Sequence, residues 1–227
     1  MSALRLLRIQ ELDSTQTYVR SHPELGFCGV LGDVQTAGRG RWGNRWESEA
    51  GTGFYFSAAV PEPGLPPGLA MQRAMLHAAR RLDPAGTILG LKWPNDLVAR
   101  LGSGLVKVGG ILGEMQGERL ILGLGINLTA APKLRGRAIP AASLADLGLE
   151  IPDREALAAA LMEDWQGLCE AREPAFRWPA QGDAIRWEGG GQGIVLGWEE
   201  DGRLRIANAT GVQRLAGGEI AGIQPPG

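Results

Sequence analysis

Lysine is rare in this chain, and two of its lysines lie in unusual sequence contexts. Only three of the 23 basic residues are lysine, namely Lys92, Lys107 and Lys133. Lys92 opens the run Lys-Trp-Pro-Asn-Asp, and Lys107 opens the run Lys-Val-Gly-Gly-Ile-Leu. A compact ammonium group fits a narrow slot that the planar guanidinium of arginine does not. If these lysines are not retained by chance, the sequence predicts a pocket in which two ammonium groups face anionic oxygens.

A glycine- and arginine-rich segment, residues 35–46, is a second candidate for anion binding. Its glycines match G-x-G-x-x-G, but a dinucleotide site needs a helix directly behind that motif, and here a predicted strand follows. Arg39 and Arg41 are two residues apart, so in an extended stretch they point to the same side and can clamp a phosphate or carboxylate. Trp46 offers a flat face for a nucleotide base. A mobile loop with solvated arginines and an arginine–aromatic strip for nucleic acid are the alternatives.

The residues of the two lysine motifs can be explained by a structural role as well as by ligand binding. Asn95 offers a donor and an acceptor that suit an adenine edge, although an Asx-type turn explains Asn95 and Asp96 equally well. Lys107 at the start of a strand is also compatible with a side chain that reaches water. Paired glycines weaken a strand unless something packs on its backbone. Gly109 and Gly110 on one strand, and Gly123 and Gly125 on the next, therefore predict a slot for a flat or thin ligand.

Composition places the chain among ordinary soluble globular proteins. It has 227 residues, 44% of them hydrophobic and 21% charged, and a formal net charge of −2, which argues against general nucleic-acid binding. Its two cysteines, Cys28 and Cys169, are typical of a reducing compartment. We find no signal peptide and no apolar stretch of the roughly 18 residues that a membrane helix needs. These features predict a cytoplasmic protein with no membrane partner.

Hydrophobic spacing predicts a mixture of strands and helices. Strands are expected at residues 4–9, 29–34, 54–60, 88–93, 107–115 and 119–128, with a hairpin turn at 116–118. One short helix is expected behind the cap Asp13-Ser14-Thr15, and two amphipathic helices are expected to bury Met71, Met75, Ala78 and Leu82, and Leu157, Leu161, Trp165 and Leu168. Short alternating strands follow Trp178-Pro179. We therefore expect two domains, residues 1–178 and a small barrel at 179–227.

Taken together, these motifs resemble the biotin–protein ligases, the biotin–[acetyl-CoA-carboxylase] ligase family. The resemblance rests on residues 13–16 (Asp-Ser-Thr-Gln), 35–41 (Gln-Thr-Ala-Gly-Arg-Gly-Arg), Trp46, 92–96, 107–112, 123–127 (Gly-Leu-Gly-Ile-Asn) and 217–220 (Gly-Gly-Glu-Ile). It implies an α+β fold, with a mixed β-sheet catalytic domain flanked by helices, as in class II synthetases, and a small C-terminal SH3-like β-barrel.

The resemblance also implies a reaction. Biotin and ATP would give biotinyl-5′-AMP and pyrophosphate, with Mg²⁺ on the phosphates and no metal bound by the chain itself. A lysine of a biotin carboxyl carrier protein would then take the biotinyl group. The resemblance allows a homodimer. The ligase motifs begin at Asp13, so no N-terminal DNA-binding domain and no DNA partner are expected.

The resemblance also implies which residues of this chain form the active site, in three functional sets. The catalytic set is Lys107, Arg41 and Arg39. The biotin-binding set is Ser14, Thr15, Gln16, Gln35, Gly38, Arg39, Gly40, Arg41, Lys107, Gly110, Gly123 and Gly125. The nucleotide-binding set is Arg41, Trp46, Lys92, Asn95 and Asn127.

The loop departs from some relatives. Asn44 stands where some carry a basic residue, and Trp42 and Glu47 make the loop less basic, so retention of the adenylate is left open. A lipoate or octanoate enzyme of related fold is the first alternative. Such octanoyl transfer uses a cysteine nucleophile, whereas Cys28 and Cys169 lie in apolar contexts typical of buried residues. A biotin-binding sensor without turnover is the second.

Overall fold

The computed structural model describes residues 5–61, 64–102, 104–133, 139–168 and 173–224. The elements in chain order are β1 (Arg5–Leu12), α1 (Thr15–Ser21), β2 (Cys28–Gln35), β3 (Gly53–Pro61), α2 (Pro67–Leu82), β4 (Leu89–Lys92), β5 (Asp96–Leu101), β6 (Gly104–Gln116), β7 (Arg119–Asn127), α3 (Arg154–Trp165), β8 (Arg177–Trp178), β9 (Ala184–Trp187), β10 (Gly191–Trp198), β11 (Leu204–Asn208), β12 (Gly211–Leu215) and β13 (Ile220–Gln224).

The strands form two sheets. The larger sheet has eight strands in the order β1-β2-β3-β7-β6-β5-β4-β8 and is mixed, because β1–β2 and β4–β8 are parallel and the other pairs are antiparallel. The smaller sheet is antiparallel, with the order β12-β11-β10-β9-β13. The predicted α+β class with a mixed sheet is confirmed.

Helices cover both faces of the larger sheet. Adjacent residues of a strand point to opposite faces. Leu31 and Ala58 belong to the core that α2 and α3 form, whereas their neighbours Val30 and Ala59 pack with Val19 of α1. The sheet therefore has an α2/α3 face and an α1 face. Among the described residues, no helix is both long and apolar enough to cross a membrane.

The helix ends follow from local sequence. Ser14 caps α1, since its Oγ accepts a hydrogen bond from the Thr17 backbone N–H, and Asp153 caps α3 in the same way through Ala156. The start of α1 was predicted from the sequence Asp13-Ser14-Thr15. The prediction that α3 includes Leu168 was wrong, because the helix ends at Trp165 and Leu168 has a left-handed backbone with φ of 41°. Leu168 is nevertheless buried.

The strand β5 was not predicted. The chain reverses at Pro94 and returns as β5, antiparallel to β4. The opposite side of β4 is paired with β8, so β4 is not an edge strand. The predicted hairpin between β6 and β7 is confirmed, with its turn between Gln116 and Arg119.

The two sheets share a buried core. Trp93, at the end of β4, is fully buried among Ile185, Val195 and Ile206 of the smaller sheet. Its indole N–H donates to the Gly202 carbonyl at 3.1 Å. This contact holds the smaller sheet against the turn that follows Lys92.

Candidate active site

A cavity of about 190 Å³ opens on the α1 face of the larger sheet. Every predicted site residue except Gly38 lines it: Ser14, Thr15, Gln16, Gln35, Arg39, Gly40, Arg41, Trp46, Lys92, Asn95, Lys107, Gly110, Gly123, Gly125 and Asn127. Residues more than a hundred positions apart in the chain therefore meet in one space.

One end of the cavity is a buried polar network. The Thr15 backbone N–H donates to Oε1 of Gln35 at 2.9 Å, and the Thr15 hydroxyl shares a hydrogen bond of 2.8 Å with Ser57. The side-chain N–H of Gln35 donates to Ser48 at 3.0 Å. Buried polar groups are favourable only when they are paired, so this network fixes the orientation of donors and acceptors that face the cavity.

Side chains of the protein itself lie directly on the glycine backbone of β7, where the sequence predicted a slot for a ligand. A Cβ at Gly125 would lie 2.5 Å from the Trp46 indole, and one at Gly123 would collide with the amide oxygen of Gln16. The Gln16 amide N–H is held by the Ile121 carbonyl at 3.2 Å. Any larger residue at these glycines would displace Trp46 or Gln16.

Two lysines that line the cavity share one carboxylate. Nζ of Lys107 lies 2.6 Å from Oδ1 of Asp96, and Nζ of Lys92 lies 3.3 Å from Oδ2. Lys92 and Asp96 are 6% and 12% exposed, whereas Lys107 is 34% exposed. Burial by itself would raise the pKa of Asp96, but the two ammonium groups outweigh it and lower the pKa. The carboxyl is therefore ionised at neutral pH.

The strand register explains how these charges meet. Lys92 is directly opposite Asp96 in the β4–β5 hairpin, and Asp96 is opposite Gly110 of β6. The β5–β6 pairing shifts between Leu97 and Val98, so that Val98 is opposite Lys107. A bulge adds one residue and re-aims side chains. Without this shift, Lys107 and Gly110, three residues apart, would point to opposite faces.

Arg41 joins the loop to both sheets. Its guanidinium donates to Oδ1 of Asn95 and to the Gly218 carbonyl, both at 3.2 Å. Asn95 in turn donates to the Ile111 carbonyl at 2.9 Å. Burial lowers the pKa of Arg41, and the carboxylates of Asp96, Glu219 and Glu188 act in the opposite direction. A guanidinium is not deprotonated in proteins, so Arg41 remains charged at neutral pH.

The loop itself is folded. Gly38 accepts a backbone hydrogen bond of 2.9 Å from Trp46, and Gly40 donates one of 2.8 Å to Asn44. A Cβ at Gly38 would lie 2.5 Å from the Trp46 carbonyl. Gly38 thus closes the base of the loop and is not among the cavity-lining residues, and its contact with a ligand stays a prediction.

The two loop arginines have different neighbours. Nη1 of Arg39 lies 3.6 Å from Glu114 of β6, and Glu114 also pairs with Arg20 of α1 at 3.4 Å. Arg41 faces Asn95 on the other side of the site. Both arginines line the cavity, but their partners show that they reach different parts of it.

The residues predicted to bind the nucleotide also line this cavity. The Lys107 ammonium lies 5.7 Å from the centre of the Trp46 ring, within the range of a cation–π contact. The side-chain N–H of Asn127 donates to the Ala142 carbonyl at 3.0 Å. The buried indole N–H of Trp46 has no hydrogen-bond acceptor among the described residues.

Sequence reasoning missed three contributors, Asp96, Ser57 and Gly218. Asp96 was noticed only as a turn residue, although its position four residues after Lys92 was a usable signal. Ser57 is one serine in an apolar strand, and Gly218 contributes a backbone carbonyl. Neither carries a pattern that a single sequence reveals.

The two cysteines and the possible metal ligands are the remaining reactive side chains. Cys28 is 1% exposed, and burial raises the pKa of its thiol. Cys169 lies outside the described residues. Within the ranges described above, no three His, Cys, Asp or Glu side chains are grouped so as to hold a metal ion.

A sequence model of the Biotin/lipoate A/B protein ligase family matches residues 10–129, more than half of the chain. The chain belongs to this ligase family. The matched residues run from β1 through β7, and they include every cavity-lining residue named in the three predicted sets.

Individual relatives agree with this family. The chain is 38% identical over 145 residues to the biotin–[acetyl-CoA-carboxylase] ligase of Mycobacterium tuberculosis, which is 60% of this chain and 51% of that protein. It is 37% identical over 112 residues to the bifunctional ligase/repressor BirA of Bacillus subtilis, covering 45% of this chain and 33% of that protein. The chain thus matches about half or less of these relatives.

Solved structures show the same fold. The biotin protein ligase from Aquifex aeolicus in complex with biotin and ATP superposes with a TM-score of 0.74 at 24% identity, covering 96% of this chain and 97% of that one. The Helicobacter pylori biotin acetyl coenzyme A carboxylase synthetase gives 0.64 at 21% identity, covering 93% of this chain and all of that one.

Proposed function

We propose that this family member is an ATP-dependent biotin–protein ligase. It would join the biotin carboxylate to the α-phosphate of ATP, release pyrophosphate, and transfer the biotinyl group from biotinyl-5′-AMP to a lysine of a biotin carboxyl carrier protein. The observation that carries the proposal is the cavity that combines the Thr15–Gln35–Ser57 network with the charges of Lys92, Lys107 and Arg41.

The polar end suits the ureido group of biotin. That group has two N–H donors and one carbonyl acceptor on an otherwise apolar bicycle. Thr15, Gln35 and Ser57 supply both donors and acceptors in a buried, mutually hydrogen-bonded arrangement. A linear acyl chain offers no partner for the remaining donor and acceptor capacity of this network that faces the cavity, which costs binding free energy. This favours biotin over octanoate.

The charged centre suits the first step. Attack of a carboxylate on an α-phosphate brings two anions together, and fixed cations lower that electrostatic barrier. Lys107 would contact the carboxylate and the developing acyl phosphate, with Arg39 and Arg41 holding the loop side. Trp46, Lys92, Asn95 and Asn127 would line the nucleotide. We propose that Mg²⁺ arrives bound to the triphosphate.

The second step needs no nucleophile from this chain. The amine of the acceptor lysine attacks the acyl carbon, the carbon–oxygen bond to phosphate breaks, and AMP leaves with the electron pair. The amine loses a proton as the amide forms. Closure of the loop over the mixed anhydride would protect it from water.

We propose two domains for this reaction, a catalytic domain at 1–178 and a C-terminal domain at 179–227 that is an SH3-like barrel. The hydrogen bond from Arg41 to Gly218 supports a role for the second domain in holding the loop. The proposed chemistry needs one chain, since residues of both sheets line the cavity. The two-cysteine composition favours the cytoplasm.

Mass spectrometry of an acceptor tests the proposal. A carrier domain is incubated with the protein, biotin and MgATP. One added biotinyl group on one lysine is expected, and none is expected without ATP. An acceptor modified from lipoate or octanoate but not from biotin would make the protein the alternative acyl ligase. Biotin binding without pyrophosphate release would make it a sensor.

A further inference from the structure

The rim of the cavity differs chemically from its interior. Trp42, Glu47 and Glu219 line the cavity and are nevertheless exposed, which places them at its mouth. Trp42 is 69% exposed. The neighbouring Arg45 is also at the mouth, but its guanidinium donates to the Thr36 carbonyl at 2.9 Å. The mouth thus presents an aromatic face, two carboxylates and one guanidinium that is held by a backbone carbonyl.

Trp42 is held in an uncommon backbone conformation. Its φ of 58° and ψ of 30° are left-handed, in the short turn Arg41–Gly43. Such a backbone suits glycine or asparagine and is unfavourable for a bulky side chain. The Arg41 guanidinium lies 5.3 Å from the centre of the Trp42 ring. An exposed indole that is held in an unfavourable backbone conformation suggests that the indole contacts a binding partner when the protein functions.

The two reaction partners carry opposite charges. The interior cations Lys92, Lys107 and Arg41 suit the carboxylate and phosphates of the small substrates. The acceptor lysine instead arrives as a cation and must pass the mouth to reach the acyl carbon. An ammonium group is attracted to an aromatic face and to carboxylates, and these are the groups that Trp42, Glu47 and Glu219 offer.

We propose that Trp42, together with Glu47 and Glu219 at the same cavity mouth, is the docking point for the acceptor segment that carries the target lysine. The inference rests on the proposed ligase function. The indole packs against the residues beside that lysine, and the carboxylates guide its ammonium group. Tryptophan is among the residues that most often dominate a protein interface. Trp42 therefore sets recognition of the protein acceptor.

The test separates the two half-reactions in the full chain. Trp42→Asn removes the indole and places a residue that tolerates the left-handed backbone. Preformed biotinyl-adenylate complex is mixed with a carrier domain or with hydroxylamine, a small nucleophile that needs no docking. We expect KM for the carrier to rise at least about tenfold, and the hydroxylamine reaction to fall much less. Glu47→Gln is expected to raise the same KM less, by an amount that high salt removes.

Leu101→Asn is the matched control, because Leu101 is 52% exposed on β5 and does not line the cavity. It is expected to keep the wild-type KM for the carrier. A Trp42→Asn enzyme with a wild-type KM overturns the inference. Equal losses with carrier and hydroxylamine also overturn it, because they would place Trp42 in the nucleotide site. Failure of the wild type to release pyrophosphate refutes the ligase proposal instead.

Discussion

Replacement of Asp96 by asparagine removes the shared counter-charge of the two central lysines. Asparagine keeps the size and the acceptor oxygen of the side chain but has no negative charge. Lys92, 6% exposed, would then be a buried cation without its partner, and Lys107, 34% exposed, would lose its contact of 2.6 Å. We expect the two ammonium groups to repel each other and the site to loosen.

The size of the effect follows from burial. Removal of one partner of a buried ion pair costs about 3–5 kcal/mol. The partly exposed Lys107 is screened by water and contributes less, so Lys92 dominates and a loss of about 3 kcal/mol is expected. In a chain of this length, about 1 kcal/mol lowers the melting temperature by roughly 2–4 °C. Asp96→Asn should therefore melt roughly 6–12 °C below the wild type at neutral pH.

The pH dependence gives the decisive readout. The pKa of Asp96 in the folded protein lies below its ordinary value. Its contribution is therefore fully present above the unfolded pKa of about 3.9 and is lost as pH falls through the lower folded value. The difference in melting temperature between wild type and Asp96→Asn should be largest at neutral pH and should shrink in strong acid. Asp201→Asn, which removes an exposed carboxylate paired with Arg203, is the control. Equal melting temperatures of wild type and Asp96→Asn at neutral pH would refute the reasoning.

Three further predictions address the slot, the loop and the thiols. Gly125→Ala places a Cβ 2.5 Å from the Trp46 indole, and displacement of that indole costs about 1–3 kcal/mol. KM for ATP in pyrophosphate-release assays should therefore rise roughly 5- to 160-fold; an unchanged KM would contradict this. Glu114→Gln removes the acidic partner of Arg39, and an exposed ion pair of this kind contributes about 0.2–1 kcal/mol. Tryptic cleavage of the loop should therefore become up to about fivefold faster. Glu118→Gln, on the exposed turn, is the control. The buried thiol of Cys28 predicts that the Cys28→Ala/Cys169→Ala variant still biotinylates the carrier; loss of transfer in the folded variant would favour an acyl-cysteine enzyme.

Features that depend on local sequence were predictable. The serine that caps α1, the apolar spacing of α2 and the hairpin between β6 and β7 each follow from residues that are near one another in the chain. The same holds for the glycines of β7, whose lack of side chains is visible in the sequence. Their contact partners, Trp46 and Gln16, became known only from the fold.

The charge arrangement at the centre was not predictable in the same way. The motifs predicted that Lys92 and Lys107 are cations that bind a common ligand. Their shared carboxylate depends on the β4–β5 hairpin and on the register shift in β5–β6. A shift of one residue reverses which face a side chain occupies, and the sequence carries no local signal for it. The contact of Gly218 with Arg41 spans 177 residues and depends on the packing of the two sheets.

Biotin-dependent pyrophosphate release by wild type and Lys107→Ala tests the central claim, namely that the converging cations drive adenylate formation. Loss of one partner of a desolvated charge pair costs about 2–5 kcal/mol, so we predict a fall of roughly 30- to several-thousand-fold. Lys133→Ala, at an exposed lysine that does not line the cavity, should keep the wild-type rate. Near-wild-type pyrophosphate release by Lys107→Ala would contradict the account.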